Sequence, residues 1–226
     1  MKKVPMTLNS DKHEFVNFRE VRMAGIAPGR LYRSSHPAVL SETDFILSKL
    51  AEEAGIAAVL NLADNETELA IKAERIMWYY RLFKRGCITA LGMGFDFLSG
   101  RFSSKLQKGF KFMLEHNGPY LIHCFHGIDR TGFMVMLLEM LMGADKDEMT
   151  NDYMMSFFGR PDFENGSEHY QNEKNNFSKV LNTIYTTGKT SEEDDLSKAA
   201  ENYLLKKTGL TSDEITLLKL TLSKNK

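Results

Sequence analysis

The decapeptide "HCFHGIDRTG", His123 to Gly132, constrains this chain more than any other stretch. A short apolar run before it, "YLIH" from Tyr120 to His123, reads as a strand. After it, "FMVMLLEMLMG" is apolar at nearly every position. From Thr131 to Met142 the run is shorter than the ~20 residues of a membrane span. It is also too uniformly apolar for a surface helix, so it predicts a central helix covered all round. A buried strand that becomes a buried helix within so few residues must turn sharply, and this turn carries a cysteine, two histidines and an arginine.

The rest of the pattern supplies the setting. "RLYRS", ending at Ser34, "IAAVLNL", Ile56 to Leu62, and "MWYYRLF", Met77 to Phe83, read as further strands. "IAAVLNL" and "YLIH" are nearly continuous apolar runs, as expected of strands buried on both faces. A capping box, "SETD" at Ser41 to Asp44, opens a helix that Gly55 stops. Residues 66–75 form a second helix, and Phe102, Leu106, Phe110, Met113 and Leu114 line one face of a third. Strands alternating with helices predict an α/β fold: a central, mostly parallel sheet of four to five strands flanked by helices.

Beyond Gly143 the pattern is helical. "DKDEMTNDYMMSFF" is one helix, "GRPDFENGSEH" a loop, residues 170–185 another helix, and "TTGKTSEEDDLS" a polar linker. Leu196, Ala200, Tyr203 and Leu204 form a stripe ended by Gly209, and "TSDE" at Thr211 to Glu214 caps a last helix. With 226 residues, 42 % of them hydrophobic, one core suffices. The expectation is a single domain over 1–226, with a body at 15–187 and a helical hairpin at 194–226 docked on it.

The 29 basic residues nearly balance the 30 acidic ones, so nothing favours nucleic acid as a partner. Only Cys87 and Cys124 are cysteines, which argues against a disulfide framework and for a reducing compartment. The first residues hold no apolar stretch of signal-peptide length, and no segment reaches membrane-span length. The expectation is a cytoplasmic protein, with export by a route that needs no apolar signal left open. No spacing of Cys, His or carboxylates fits a metal. Neither metal nor cofactor is expected, and the oligomeric state is open.

A sharp strand-to-helix turn leaves several backbone N–H groups pointing into one concave loop, and the first helical turn adds unpaired donors and partial positive charge. Such a loop is an anion site before any side chain is counted. Gly127 permits backbone angles that other residues resist. Arg130 adds a planar fork suited to two oxygens of one phosphate. Cys124 begins the loop, beneath these donors, whose field favours thiolate over thiol. A thiolate facing a bound phosphate is an activated nucleophile, and Thr131 stands where its hydroxyl can donate to the sulfur as the sulfur leaves.

Cys124, Gly127, Arg130 and Thr131 stand at the spacing of a known signature: "HCFHGIDRTG" resembles that of the cysteine-dependent protein tyrosine phosphatase superfamily. A rhodanese-type loop is shorter and lacks the "RTG" ending. "NFREV" at 17–21, "GRLYRSSHP" at 29–37, "GIAAVLNL" at 55–62, "NDYMMS" and "GLTSDEITLLKL" are similar to the bacterial tyrosine, dual-specificity and lipid phosphatase group, covering about 15–222. The resemblance implies hydrolysis of phosphomonoesters through a phosphocysteine, with Phe125 to Thr131 holding the phosphate and His123 orienting the loop. Two departures remove positive charge: Ile128 stands where many bacterial members have lysine, and "NLADNE" where the second strand often ends in arginine. Both weigh against a highly anionic inositol substrate, although His126 returns part of the charge.

A leaving group needs a proton. Asp129 inside the loop is the first candidate donor, and Asp96 in "GMGFDFLSG", 28 residues before Cys124, the second. Their plainer roles are a structural hydrogen bond for Asp129 and a helix N-cap for Asp96. Ser34, Ser35 and His36 either line the cleft, as residues after a strand's C-terminal end do, or form a turn before the next helix. Cys87 reads as a small core residue, with a protective disulfide to Cys124 as the lesser alternative. Three functions stay open. Phosphotyrosine hydrolysis with dual specificity leads, phosphoinositide or inositol phosphate hydrolysis is second, and a phosphate-binding module without turnover is third.

Overall fold

The computed structural model of the chain describes residues 16–23, 25–39, 44–97, 99–157, 163–191 and 195–223. Its strands are β1 Arg19–Glu20, β2 Leu31–Ser34, β3 Ala58–Asn61, β4 Ile88–Ala90 and β5 Tyr120–His123. They form one sheet in the order β1-β2-β5-β3-β4. The edge strand β1 is antiparallel to β2, and the other pairings are parallel. The helices are α1 Asp44–Glu53, α2 Glu66–Ala73, α3 Met77–Lys84, α4 Gly100–Glu115, α5 Asp129–Leu141, α6 Lys146–Met155, α7 Glu168–Gly188, α8 Leu196–Thr208 and α9 Ser212–Ser223.

Alternation along the two central strands divides the core. Val59 of β3 and Leu121 of β5 face one side, with Leu47, Ala51, Leu69, Trp78, Tyr79 and Leu82 from α1, α2 and α3. Ala58, Leu60, Tyr120 and Ile122 face the other, with α4, α5 and the C-terminal helices. Both strands are buried throughout, as their unbroken apolar runs predict. Helix α5 is covered along nearly its whole length, which is why its sequence has no polar face.

The last two helices belong to the same core. Ala200, Tyr203 and Leu204 of α8 and Ile215, Leu218 and Leu222 of α9 join the cluster that contains Leu106, Phe110 and Leu137. Helices α7 and α8 approach closely at Gly188, where a Cβ would stand 1.8 Å from the Ala199 carbonyl oxygen, so only glycine fits. Among the described residues, no helix is long and apolar enough to cross a membrane.

One predicted strand is a helix. "MWYYRLF" carries aromatic side chains favoured in strands, yet it forms α3. Trp78, Tyr79 and Leu82 are buried while Met77, Arg81 and Lys84 point out. That spacing of one, three and four is helical, and it overrides the local preference. The fourth parallel strand is instead β4, whose three residues are too few to show a period. Of the predicted capping box, Ser41 to Thr43 lie outside the described residues. Leu218 is fully buried between α9 and the body, so Leu218→Ala should cost about 2–5 kcal/mol. Thermal unfolding followed by circular dichroism should show a melting point lower by ~5–15 °C.

Candidate active site

In the sheet register Ser34 of β2, His123 of β5 and Asn61 of β3 stand level, with Ala90 of β4 beside Asn61. The chains leaving these strands therefore meet at one carboxyl edge, where sites gather in parallel sheets. Cys124 is the first residue after β5, and Asp129 opens α5. The four residues between them make the turn.

What shapes this turn is the fate of its carbonyl groups. The Cys124 oxygen accepts from His123 Nδ1 at 3.3 Å and the Phe125 oxygen from the His36 N–H at 3.0 Å. Asn17 Nδ2 donates to the His126 oxygen at 3.2 Å and to the Gly127 oxygen at 3.0 Å. Arg33 Nη2 also donates to Gly127, at 2.9 Å, and the Ile128 oxygen accepts from the Gly132 N–H at 2.6 Å. In a trans peptide each carbonyl points opposite to the following N–H. Five carbonyls tied to the surroundings thus turn the next five N–H groups toward the other, concave side. Among the described residues, no acceptor takes the N–H of Phe125, Gly127, Ile128, Asp129 or Arg130. Gly127 has φ +73°, and a Cβ there would lie 2.2 Å from the Ser34 oxygen. Its place can be taken by no other residue.

The ties rest on a buried charge cluster. Arg33 is 1 % exposed and pairs through Nη1 with Asp152 Oδ2 on α6. Arg19 Nε reaches the other oxygen of Asp152 at 3.0 Å, and Arg19 Nη1 donates to Asn17 Oδ1. Burial opposes the charge on Asp152, but the two guanidinium groups outweigh it and hold the carboxyl below its ordinary range. Nearby Glu139, buried on α5, is pushed well above that range by burial and then by the charge of Asp152. A second network lies under the loop. His36 Nε2 bonds Asp64 Oδ2 at 2.7 Å, and Tyr79 Oη bonds His123 Nε2 at 2.9 Å.

Cys124 lies at the foot of the loop, 2 % exposed, and Thr131 Oγ1 is buried with no partner among the described residues. Arg130 donates Nη1 to the Met93 carbonyl at 3.0 Å, and its guanidinium lies 4.7 Å from the Phe95 ring centre. Its Nε is buried and has no partner among the described residues. Asp129 and Asp96 are both exposed. Asp96 is not a helix cap, because Ser99 caps α4 through the Phe102 N–H. Ser34, Ser35 and His36 are buried against the loop; they support its back. Phe125 and Phe95 present exposed rings.

The disulfide alternative fails on register. Cys87 precedes β4, at the level where Ile88 pairs with Val59, whereas Cys124 follows His123, which pairs with Asn61. The two lie at opposite ends of parallel strands, beyond the ~7 Å Cα separation a disulfide spans. Both thiols are free, and Cys87 is half-buried. Sequence reading missed Asn17, Arg33, Asn61, Asp64, Tyr79 and Asp152. Only Arg33 carried a signal: an arginine two residues from Leu31, on the inner face of a strand, needs a buried anion. Among the described residues, no group of three or more His, Cys, Asp or Glu could hold a metal.

The buried histidine makes stability depend on pH. Burial, and then neighbouring His36, hold His123 well below its ordinary value of 6.5. Unfolded, it gains a proton as the pH falls through that value; folded, it does not. Its contribution is therefore complete above pH about 6.5 and is lost below, by at most about 1.4 kcal/mol per pH unit. Asp64 is held below its ordinary value, where hydrogen bonds from His36, Lys72 and Asn61 outweigh the opposing effect of burial. Its contribution fades only at more acid pH. Urea melts should show a lower midpoint at pH 5 than at pH 7, and His123→Gln should flatten that slope.

A stretch of 44 residues is 46 % identical to the triple specificity protein phosphatase PtpB of Mycobacterium tuberculosis, covering 20 % of this chain and 16 % of that protein. Among solved structures, the core catalytic domain of the PP-IP phosphatase SIW14 from S. cerevisiae, in complex with citrate, is similar. It is 21 % identical, with a TM-score of 0.44 over 75 % of this chain and 91 % of that one. A Siw14 catalytic core matches at 20 % identity and TM-score 0.42, covering 72 % and 93 %. Residues 92–224, more than half of the sequence and the whole of the loop with α4 to α9, match the tyrosine phosphatase family, and the chain belongs to that family.

Proposed function

We propose that the chain hydrolyses phosphomonoesters through a phosphocysteine, with phosphotyrosine in protein as the leading substrate. The observation that carries this reading is the loop itself: the carbonyls of residues 124–128 each have a hydrogen-bond partner, and the N–H groups of Phe125, Gly127, Ile128 and Asp129 have no acceptor among the described residues. Preorganised donors of this kind favour charge that develops on a transferring phosphoryl group.

The steps follow from the residues at hand. The Cys124 thiolate attacks phosphorus, an S–P bond forms, and the P–O bond to the leaving group breaks. The leaving oxygen takes a proton from a carboxylic acid, for which Asp129 is the first candidate and Asp96 the second. The loop amides and Arg130 hold the three remaining oxygens. Water then attacks phosphorus and gives its proton to the same carboxylate. The S–P bond breaks, phosphate leaves, and the Thr131 hydroxyl donates to the returning thiolate. The steps draw on sulfur, amides and a guanidinium, so activity should survive EDTA.

Two observations support an aryl ester. Phe125 in the loop and Phe95, whose ring centre lies 4.7 Å from the Arg130 guanidinium, expose rings on which an aromatic leaving group can stack. Ile128 brings no cation to the loop, which disfavours a polyanion. The description of the mycobacterial relative as a triple specificity phosphatase supports keeping wider specificity open; phosphoinositide or inositol phosphate hydrolysis is the second reading.

Cys124→Ser should lower hydrolysis of an aryl phosphate roughly 10³-fold or more, while still binding phosphate. Equal rates for the two proteins would remove the nucleophile, and phosphate binding by a wild type without turnover would leave a binding module. Replacing the true acid by asparagine should cost about 10²-fold with poor leaving groups and little with good ones. Parallel assays of Asp129→Asn and Asp96→Asn identify it, and release from phosphotyrosine peptides and phosphoinositides ranks the substrates.

A further inference from the structure

Beneath the loop, His36, Asp64, Asn61, Tyr79 and His123 form one buried chain that none of the steps above uses. Its donors can be assigned from one fixed end. Asn61 Oδ1 accepts the backbone N–H groups of Ala63 at 2.9 Å and Asp64 at 3.0 Å. Its Nδ2 is therefore the donor to Asp64 Oδ2 at 2.9 Å and to the Tyr79 hydroxyl at 3.1 Å. The Tyr79 oxygen accepts there, so its single proton goes to His123 Nε2, 2.9 Å away. That nitrogen is then bare, and the ring proton stands on Nδ1, facing the Cys124 carbonyl at 3.3 Å. The far end agrees. His36 Nδ1 accepts the Ala38 N–H at 3.0 Å, so His36 Nε2–H donates to Asp64.

We propose that Tyr79, linked through Asn61 to Asp64 and His36, is a positioning residue that fixes His123 as the Nδ1–H tautomer and so aims the Cys124–Phe125 peptide. The reading rests on the loop being an oxyanion site. Pinning the Cys124 carbonyl on one side turns the Phe125 N–H, in the same peptide plane, toward the other. With the other tautomer, His123 would offer that carbonyl a bare nitrogen; the Tyr79 oxygen would accept from both Asn61 and His123, and its own proton would have no acceptor among the described residues.

Burial, and then the neighbouring His36 and Lys72, favour the neutral ring, against the opposing pull of the Cys124 carbonyl and Asp64. His36 meets the ring edge to face at 4.8 Å, and Asp64, Lys72, Tyr79 and Cys124 complete its surroundings from α2, α3 and the adjoining loops. Burial keeps the Tyr79 phenol protonated, so its proton is available to His123 throughout the neutral range.

The test reads the proton directly. In the full chain carrying 15N-histidine, with His123 identified by His123→Gln, long-range 1H–15N spectra should show Nδ1 protonated and Nε2 bare. Tyr79→Phe removes only the hydroxyl. It should mix the two tautomers and weaken binding of inorganic phosphate about tenfold, the worth of one buried hydrogen bond. Turnover of an aryl phosphate should fall by a similar factor in kcat/KM. A wild-type proton on Nε2 overturns the proposal, and that spectrum decides even if Tyr79→Phe does not fold. A folded Tyr79→Phe in which tautomer and phosphate affinity do not change together also overturns it. A wild type that binds phosphate without turnover sinks the phosphatase reading instead, and leaves this inference to the spectra and the phosphate titration.

Discussion

The contact on which the site depends is the one between Arg33 and Asp152, a buried ion pair joining the sheet to α6. Arg33 also donates Nη2 to the Gly127 carbonyl, and Arg19, paired with the same carboxylate, holds Asn17 against the same peptide group. Buried charges are costly unless paired, so this cluster sits in one arrangement and transmits it to the loop. The loop is shaped from behind, by what its carbonyls are given to bind, and the side that its N–H groups face is what remains.

A second layer of support works in the same way from the other flank. In the chain from His36 to His123 the direction of each bond follows from Asn61 at one end and from the Ala38 N–H on His36 at the other. The Arg33–Asp152 cluster holds the middle of the loop and the chain ending at His123 holds its start. Between them Gly127 passes so close to Ser34 that no side chain fits. Arg130 lies beyond both supports, against Met93 and Phe95, which makes it the part of the site tied to the segment before α4.

Much of this was legible in the chain. The apolar runs at Ile56 to Leu62 and Tyr120 to His123 announced strands covered on both sides, and the stretch after Thr131 announced a helix with no wet face. The decapeptide placed a thiol, a guanidinium and a helix start close together along the chain. The stretch at Met77 misled, because aromatic residues favour strands while their burial followed a helical spacing that seven residues display only weakly. Asp96 and Asp129 remained two candidates, since spacing alone says nothing of which carboxyl faces the leaving group.

By itself the sequence determined the α/β class, the strand-to-helix turn and the chemical groups on it, because these depend on residues close together along the chain. Tertiary structure alone decided which groups hold the loop. Asn17, Arg33, Asn61, Tyr79 and Asp152 come from different elements, and Arg33 and Asp152 stand 119 positions apart. A hydrogen bond requires two atoms within about 3 Å. Only the order of strands in the sheet, which local periodicity does not encode, brings such distant residues to one edge.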